Sequence, residues 1–222
     1  MSLYTFSKTD TMPSIKMIAG VRMEECFNVE LLSEIGAITV DDVMKRLANG
    51  HTAFVAYMNN QPAAFGWMAR QKAQIGELNH EMKLPEANRY LWNFRTLETF
   101  RGLGIYPALL QFIINFEIKS ADRFWIIHAP ENKSSLNGIV KAGFQFIGKL
   151  YTNENGNAAI ETNSISDAYR EMLASMNIPV SAQPPASCWN CSSPYLKKRI
   201  MSCCCITVQN ECVGNNRFAM AS

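Results

Sequence analysis

The stretch of residues 101–110 constrains the fold most, because two glycines there join an apolar run to an amphipathic one. Residues 90–97 predict a strand, and the residues after the turn repeat apolar side chains at helical spacing. Glycine lets the backbone approach a ligand closely, and the first N–H groups of a helix have no internal partner. The helix dipole adds positive potential at that end. Strand, glycine turn and helix therefore predict an anion site with room for a pyrophosphate.

One other interpretation of this turn follows from the same residues. The glycine pair is also compatible with an ordinary connection between a strand and a helix, in which Pro107 occupies the first helical turn. The segment lacks the longer glycine spacing of a dinucleotide fingerprint and the GK[ST] ending of a P-loop. Neither nucleotide-binding fold is supported.

A second motif lies about 30 residues further along the chain. Here Asn132-x-x-Ser135 is followed by Lys141-Ala142-Gly143-Phe144. Together with Arg101-x-x-Gly104, this order and separation resemble the acyl-CoA loop and the following helix of the GNAT N-acetyltransferase family. The resemblance covers roughly residues 21–162.

The resemblance implies an α/β fold with a mixed, splayed central sheet flanked by helices. It implies transfer of an acetyl or acyl group from acetyl-CoA to a primary amine, by direct attack in a ternary complex. The backbone of residues 94–96 would pair with the pantetheine arm as a strand does. The expected acyl-CoA site consists of Phe94, Arg95, Thr96, Arg101, Gly102, Leu103, Gly104, Ile105, Tyr106, Asn132 and Ser135.

Acyl transfer needs a neutral amine, and a general base within reach of it accelerates the reaction. Glu98 ends the strand before the glycine turn and is the first candidate base, although a solvated turn residue fits the same position. His128 is the second candidate. The candidates for the acceptor side are Trp67, Arg70, Asn93 and Arg95. No extended acidic or basic groove is evident, which favours a small-molecule acceptor over a protein.

The proton donor for the leaving thiolate is where the chain departs from the family. Many members carry a tyrosine seven residues after the helix-opening asparagine, and that position is Ile139 here. Tyr106, Tyr151 or water would have to replace it. The catalytic candidates are thus Glu98, Tyr106 and Tyr151. The departure also keeps a second hypothesis open, a non-catalytic acyl-CoA-binding or regulatory protein.

Composition places the chain in the ordinary globular class. Its 222 residues are 48% hydrophobic and 18% charged, with a net charge of +2, enough for one sizeable core and a small appendage. No apolar run is long enough to span a bilayer, and the first residues do not read as a secretory signal. We expect a cytoplasmic protein whose partners are acetyl-CoA and an amine, with neither membrane nor nucleic acid among them. The choice between monomer and homodimer stays open.

Six of the seven cysteines follow residue 185. Clustered cysteines in a reducing compartment favour metal over disulfides, and Cys188-x-x-Cys191 is a usual half of a zinc site. With Cys205 and Cys212 as the second half, the sequence predicts a structural zinc. A flexible thiol-rich tail and disulfides are the alternatives, and an interaction protein that uses this tail is the third hypothesis.

The remaining pattern divides the chain into a GNAT-like domain at residues 1–163, a helix and proline-rich linker at 164–185, and the cysteine-rich tail at 186–222. Within the first domain we expect a strand near residues 15–19, helices at 22–35 and 41–47, a hairpin at 52–70 and a loop at 71–88. Apolar residues recur every four positions from 22 to 35 and include Phe27, and the buried stripe of the helix after the glycine turn includes Phe116. Gly66 marks a bulge, a close ligand approach or simply a tolerated glycine. A strand at 124–128, a helix at 131–142 and two strands at 144–151 and 158–162 complete it.

Overall fold

Eight strands form one sheet in the computed structural model, which describes residues 1–162 and 165–183. Across the sheet they run in the order β10-β9-β1-β8-β7-β4-β3-β2. A separate hairpin is formed by β5 and β6. The strands are β1 Ser2–Ser7, β2 Val21–Cys26, β3 Thr52–Met58, β4 Gln61–Ala69, β5 Lys72–Ile75, β6 His80–Lys83, β7 Asn88–Thr96, β8 Arg123–His128, β9 Gln145–Thr152 and β10 Ala158–Glu161.

Helices cover both faces of this sheet. They are α1 Val29–Gly36, α2 Val40–Ala48, α3 Ile105–Glu117, α4 Lys133–Lys141 and α5 Asp167–Ser175. Side-chain oxygens cap four of them, at Asn28, Thr39, Asn132 and Ser166, by accepting a hydrogen bond from an N–H of the first turn. These caps explain where the helices begin, since such residues satisfy otherwise unpaired donors.

The predicted mixed α/β sheet flanked by helices is confirmed. Within the described residues, β7 and β8 are the parallel pair and the other neighbouring strands of the sheet run antiparallel. The strands at residues 52–58 and 158–161 lie where the sequence indicates, and the hairpin of β3 and β4 is present. Strand β1 lies between β8 and β9, a position that the sequence did not predict.

The two faces of the sheet carry separate cores. On β3, Phe54 and Ala56 pack with α3 and α4, whereas Ala53 and Val55 pack with α1 and α2. This alternation is the ordinary consequence of a period of two. Further along the face that carries α1 and α2, Leu173 of α5 packs in a third cluster with residues of β1, β8 and the β5–β6 hairpin. Among residues 1–162 and 165–183, no helix is long and apolar enough to cross a bilayer.

The prediction of one helix at residues 22–35 is wrong in its first half. Residues Val21–Cys26 form β2, and Asn28 caps a helix that begins only at Val29. Apolar residues every four positions fit a strand as well, because four is a multiple of the strand period. Phe27, expected on the buried stripe, is 69% exposed.

Three further expectations are corrected. The first strand is Ser2–Ser7 rather than residues 15–19. Residues 71–88 are not simply a loop, because β5 and β6 pair there and bury Ala73, Ile75 and Met82 through a short polar–apolar alternation. Phe116, expected in the core, is 48% exposed, although its ring contacts those of Phe54 and Phe112.

A buried carboxylate ties three elements together at the end of α3. Glu117 accepts hydrogen bonds from Arg70 after β4 and from Arg89 in β7, each at 2.7 Å. The Ser120 hydroxyl donates a third hydrogen bond to this carboxylate, at 3.1 Å. Burial alone would raise the pKa of Glu117, but the hydrogen bonds from Arg89 and Arg70 outweigh it and hold the pKa below its ordinary value. The ionised form is therefore the one that stabilises the fold.

We expect Glu117→Gln to lower the free energy of unfolding at pH 7 by about 3 kcal/mol, because it leaves two guanidinium groups without their shared counter-charge. A lowered pKa stabilises the fold above the unfolded pKa and loses that effect as pH falls. The difference between wild type and variant should thus shrink below about pH 4. Urea unfolding of both proteins, at pH 7 and below about pH 4, measures this difference in the free energy of unfolding.

The matched control is Glu81→Gln, which removes an exposed partner of Lys72 at 3.7 Å. Such a surface pair contributes at most about 1 kcal/mol. Equal losses in the two variants would show that the Glu117 network does not hold these elements together.

Candidate functional site

The two parallel strands β7 and β8 separate halfway along their length. Pairing runs from Asn88 opposite Arg123 to Leu91 opposite Ile126 and then stops. Beyond that point β7 continues to Thr96 while it remains paired with β4 on its other side. The second half of β7 therefore has a free edge that faces a widening gap between the strands.

A local break in β7 causes this separation. Asn93 adopts a left-handed backbone with φ of 51°, a conformation that asparagine tolerates better than most residues. The pairing register between β4 and β7 shifts at the same place, next to Gly66. A side chain at Gly66 would overlap the ring of Phe94. Gly66 thus marks a bulge at which Phe94 lies directly on the backbone of β4.

The free edge of β7 carries polar backbone groups. Leu97 donates its N–H to the carbonyl of Ala63, so at this position β7 faces β4. Because successive residues of a strand point to opposite edges, the N–H groups of Thr96 and Phe94 face the gap. The Thr96 carbonyl on the same edge accepts a hydrogen bond from Arg101 at 3.3 Å. A chain laid in the gap would find strand-like partners there.

A short 3-10 helix, Glu98–Phe100, connects the free edge to the glycine turn. Gly102 and Gly104 have φ of 81° and 80°, and Gly104 is the N-cap of α3 without any side-chain hydrogen bond. A left-handed backbone at both positions explains why glycine stands there. The first N–H groups of α3 therefore receive no side-chain cap. Arg101 lies beside them with more than half of its side chain exposed.

Tyr106, in the first turn of α3, reaches the gap from its helical side. Its ring contacts Phe94, with 5.5 Å between ring centroids, and fills the space beside Gly138 of α4. Its hydroxyl lies 3.3 Å from the hydroxyl of Ser135. Burial raises the pKa of Tyr106 to about 12, although the Ser135 hydrogen bond acts in the opposite direction. The phenol is therefore protonated at neutral pH.

The start of α4 closes the same side. Asn132 caps the helix by accepting the N–H of Ser135 at 3.0 Å. Its carbonyl lies 2.9 Å from Nε2 of His128, and burial lowers the pKa of this histidine. Ile139, which stands at the family's tyrosine position, is fully buried in the core between α3, α4 and the sheet. Within the described residues, the phenol on this side of the gap is therefore that of Tyr106 rather than one at position 139.

A cleft of about 1640 Å³ occupies the gap and the surface beside it. Tyr106, Asn132, Ser135 and Phe94 line it among the expected residues. A further group on the opposite wall is formed by Arg46, His51 and Trp92. The sequence offers His51 only as a weaker candidate base and does not bring it together with Arg46 and Trp92. Arg46 lies within a helix whose charged residues indicate solvent exposure, so no local signal identified this group.

Two of the three candidate catalytic residues lie elsewhere. The Glu98 side chain is 80% exposed, lies 3.5 Å from Arg101 and does not line the cleft. Tyr151 is on β9 and donates its hydroxyl proton to the carbonyls of Ser181 and Gln183. Tyr106 alone of the three lines the cleft. Of the acceptor-side candidates, Asn93 and Arg70 line it, and Arg70 also pairs with Glu117.

The predicted zinc ligands, Cys188, Cys191, Cys205 and Cys212, lie outside the described residues. Within residues 1–162 and 165–183 there is no group of three or more side chains that could hold a metal. The zinc site stays a prediction from the sequence.

Gly66→Ala should lower the free energy of unfolding by about 1–3 kcal/mol, because the added methyl displaces the Phe94 ring. Gly76→Ala is the control, since a side chain there meets open space. Urea unfolding gives both values, and adding Phe94→Ala to Gly66→Ala should cost less than the sum of the single changes. Strict additivity would contradict the close contact.

Comparison with known proteins leaves the family open. No family model matches the chain, and no curated protein matches it by sequence. Solved structures do resemble it. A GCN5-related N-acetyltransferase from Kribbella flavida aligns at 16% identity and a TM-score of 0.40, over 56% of this chain and 46% of that one.

Two further structures align in a similar way. A predicted acetyltransferase with acetyl-CoA from Clostridium acetobutylicum shows 19% identity and a TM-score of 0.40, over 56% of this chain and 90% of that one. A GNAT-family acetyltransferase from Colwellia psychrerythraea shows 14% identity and a TM-score of 0.46, over 65% and 52%. The chain thus spans about half the length of the Kribbella and Colwellia proteins. At these identities and TM-scores the likeness settles neither family nor function, which are inferred below from the residues of the site.

Proposed function

We propose that the chain is an N-acyltransferase that transfers an acetyl group from acetyl-CoA to the primary amine of a small molecule. The observation that carries the proposal is the free edge of β7, which ends in an uncapped helix N-terminus and faces the phenol of Tyr106. A thioester with an amide-containing arm and a pyrophosphate needs these parts in this order.

The arm and the phosphates use different groups. The N–H groups of Phe94 and Thr96 face the gap and can pair with the amides of a pantetheine arm as a neighbouring strand would. The turn at Gly102 and Gly104 leaves the first N–H groups of α3 open to the pyrophosphate. Arg101 adds a cation that reaches phosphate from the exposed side.

The reaction follows from the positions of these groups. The neutral amine attacks the thioester carbonyl, a C–N bond forms, and the C–S bond breaks. The carbonyl oxygen, negative in the intermediate, lies against the backbone N–H groups of the bulge, which act as donors. The amine nitrogen loses one proton and the thiolate of CoA gains one, so no other reactant is needed.

Tyr106 is the proposed proton donor to the thiolate. Its phenol is protonated at neutral pH, lies at the cleft wall and is held by Ser135. The proton from the amine passes to groups on the cleft wall, where Glu77, Glu81 and Glu131 lie. Glu98 does not line the cleft, so we expect it to be dispensable for acyl transfer.

A second candidate function keeps a specific observation in its favour. The buried Ile139 stands where the family pattern places a tyrosine, so the usual proton donor is absent from that position. A protein that binds acyl-CoA as a sensor, without turning it over, would need the same cleft but no proton donor. An interaction protein that uses the cysteine-rich tail concerns residues outside the described part of the chain and stays a prediction.

Binding of acetyl-CoA is the first test. Calorimetric titration should give a micromolar Kd for the wild type, and Gly104→Val should weaken it by about 100-fold or more, because it both strains the left-handed backbone and covers the helix N-terminus. Gly156→Val is the matched control, since Gly156 has φ of 79° in the turn between β9 and β10 and open space around it.

Equal weakening by both variants would assign the effect to backbone strain rather than to the anion site. No binding to the wild type, with intact far-UV circular dichroism, would contradict the proposal outright.

Tyr106→Phe should lower kcat by about 10- to 100-fold with little change in the Kd for acetyl-CoA, because it removes the proton donor and keeps the ring. Glu98→Gln, a change of similar size outside the cleft, should stay within about threefold of the wild type. Release of free CoA thiol measures both rates, with an amine found by screening.

The opposite ranking, a large loss in Glu98→Gln and none in Tyr106→Phe, would restore Glu98 as the base and remove Tyr106 from the mechanism. Acetyl-CoA binding without turnover of any amine in a broad screen would favour the non-catalytic candidate.

A further inference from the structure

A polar–aromatic cluster lies on the cleft wall opposite Tyr106. The guanidinium of Arg46 lies over the rings of Trp67 and Trp92, at 5.1 and 4.7 Å from their centroids. The imidazole of His51 meets Trp92 edge-on, with 5.2 Å between centroids. Three distant parts of the chain supply these side chains, namely α2 with the loop after it, β4 and β7.

Each polar member of this cluster has an unused hydrogen-bonding atom. Nη1 of Arg46, Nδ1 of His51 and Nε1 of Trp92 are buried and have no hydrogen-bond partner among residues 1–162 and 165–183. In the described part of the chain, no other buried side-chain nitrogen or oxygen lacks a hydrogen-bond partner. Buried polar atoms are normally paired, so three together at one wall of a cleft indicate that a ligand pairs with them.

The chemical character of the three atoms restricts the ligand. Arginine and the tryptophan indole can only donate hydrogen bonds. His51 Nε2 lies 3.2 Å from the carbonyl of Lys72, which accepts, so Nε2 carries the hydrogen and Nδ1 has the free lone pair. Burial and the nearby Arg46 charge lower the pKa of His51 and keep it neutral. The site therefore offers two donors, one of them cationic, and one acceptor.

The charge of Arg46 has no close counter-ion in the described part of the chain. Asp42, one turn earlier on α2, instead holds Thr39 in the capping box at 2.7 Å. A partly buried cation without a counter-ion is costly. An arginine that binds a carboxylate or phosphate forms strong charge-assisted hydrogen bonds. An anionic ligand group satisfies both donors and the charge.

We propose that Arg46 and Trp92 form a subsite for an anionic group on the acceptor, so that the substrates are amines that also carry a carboxylate or a phosphate-like group. His51 Nδ1 accepts an N–H from the same molecule. This inference rests on the proposed acyltransferase function, which it makes specific. Amines with a second positive charge are disfavoured, because Arg46 repels them.

The spacing on β7 limits the length of the acceptor. Trp92 and Phe94 lie on either side of the left-handed Asn93, and two residues of chain span at most about 7 Å. The amine must reach the thioester beside Phe94 while the anion reaches Trp92. A short spacer of a few carbon atoms between amine and anion meets this requirement.

The experiment uses matched probes on the full chain. The carboxylates are glycine, β-alanine and γ-aminobutyrate, the neutral controls are their amides, and the phosphonate analogue of β-alanine separates phosphate-like from carboxylate recognition. Titration followed by the indole N–H resonance of Trp92, without acetyl-CoA, reports binding independently of turnover. Initial rates with acetyl-CoA then give KM and kcat.

The variants remove one donor at a time. Trp92→Phe keeps the ring and loses the N–H, and Arg46→Met keeps the stacked stem and loses the charge. Arg22→Met is the matched control, because Arg22 also stacks on an aromatic ring, that of Tyr57, but lies outside the cleft. We expect an anionic probe to shift the Trp92 resonance, and Arg46→Met to raise its Kd and KM by about 10- to 100-fold.

A merely structural role of Arg46 predicts something else. It predicts a lower melting temperature and equal losses for acid and amide probes, whereas the subsite predicts a loss confined to the anionic probe and a melting temperature within about 2 °C of wild type. Arg22→Met should leave all probe affinities unchanged.

The two proposals fail in different ways. If acetyl-CoA binds but no anionic probe shifts the Trp92 resonance or is preferred over its amide, the subsite is wrong and the acyltransferase proposal stands. If an anionic probe binds through Arg46 but acetyl-CoA does not bind, the subsite stands and the acyltransferase proposal is wrong.

Discussion

The break in β7 at Asn93 is the constraint on which the candidate site depends. A regular strand would remain paired with β8 along its whole length, and no gap would open. The left-handed Asn93 and the shifted register beside Gly66 turn the second half of β7 away while β4 continues to hold it. N–H and C=O groups of β7 that would be paired in a continuous sheet are therefore unpaired in the middle of this one. Unpaired strand edges are normally avoided in proteins.

In the proposed reaction, the two faces of the sheet have different roles. Phe94 and Tyr106 belong to the side covered by α3 and α4, and they form the part of the cleft suited to a thioester. Arg46 and Trp92 belong to the side covered by α1 and α2, where they are the proposed hydrogen-bond donors to the anionic group of the amine substrate. The gap between β7 and β8 connects the two sides, so the two proposed substrates would meet there while each contacts a different wall.

The sequence predicted best those features that depend on neighbours in the chain. The glycine turn before α3 and the Asn132 cap of α4 are local, and both lie where their motifs indicate. Residues 22–26 were misassigned because a period of four fits strand and helix alike. The Arg46 cluster could not be predicted, since three distant elements bring it together and Arg46 sits among charges that resemble a solvated helix face.

The place of β1 has a consequence for how the chain reaches this structure. β1 lies inside the sheet, yet Thr5 bonds to Phe124, 119 positions away, and its other neighbour is β9. Such non-local pairing raises the contact order, and loop closure must be completed before it stabilises anything. Neither edge of β1 can pair before β8 and β9 have formed, so the first of the ten described strands in chain order is among the last to be paired. Slow folding with transiently exposed edges of β1 is the kinetic cost of this topology.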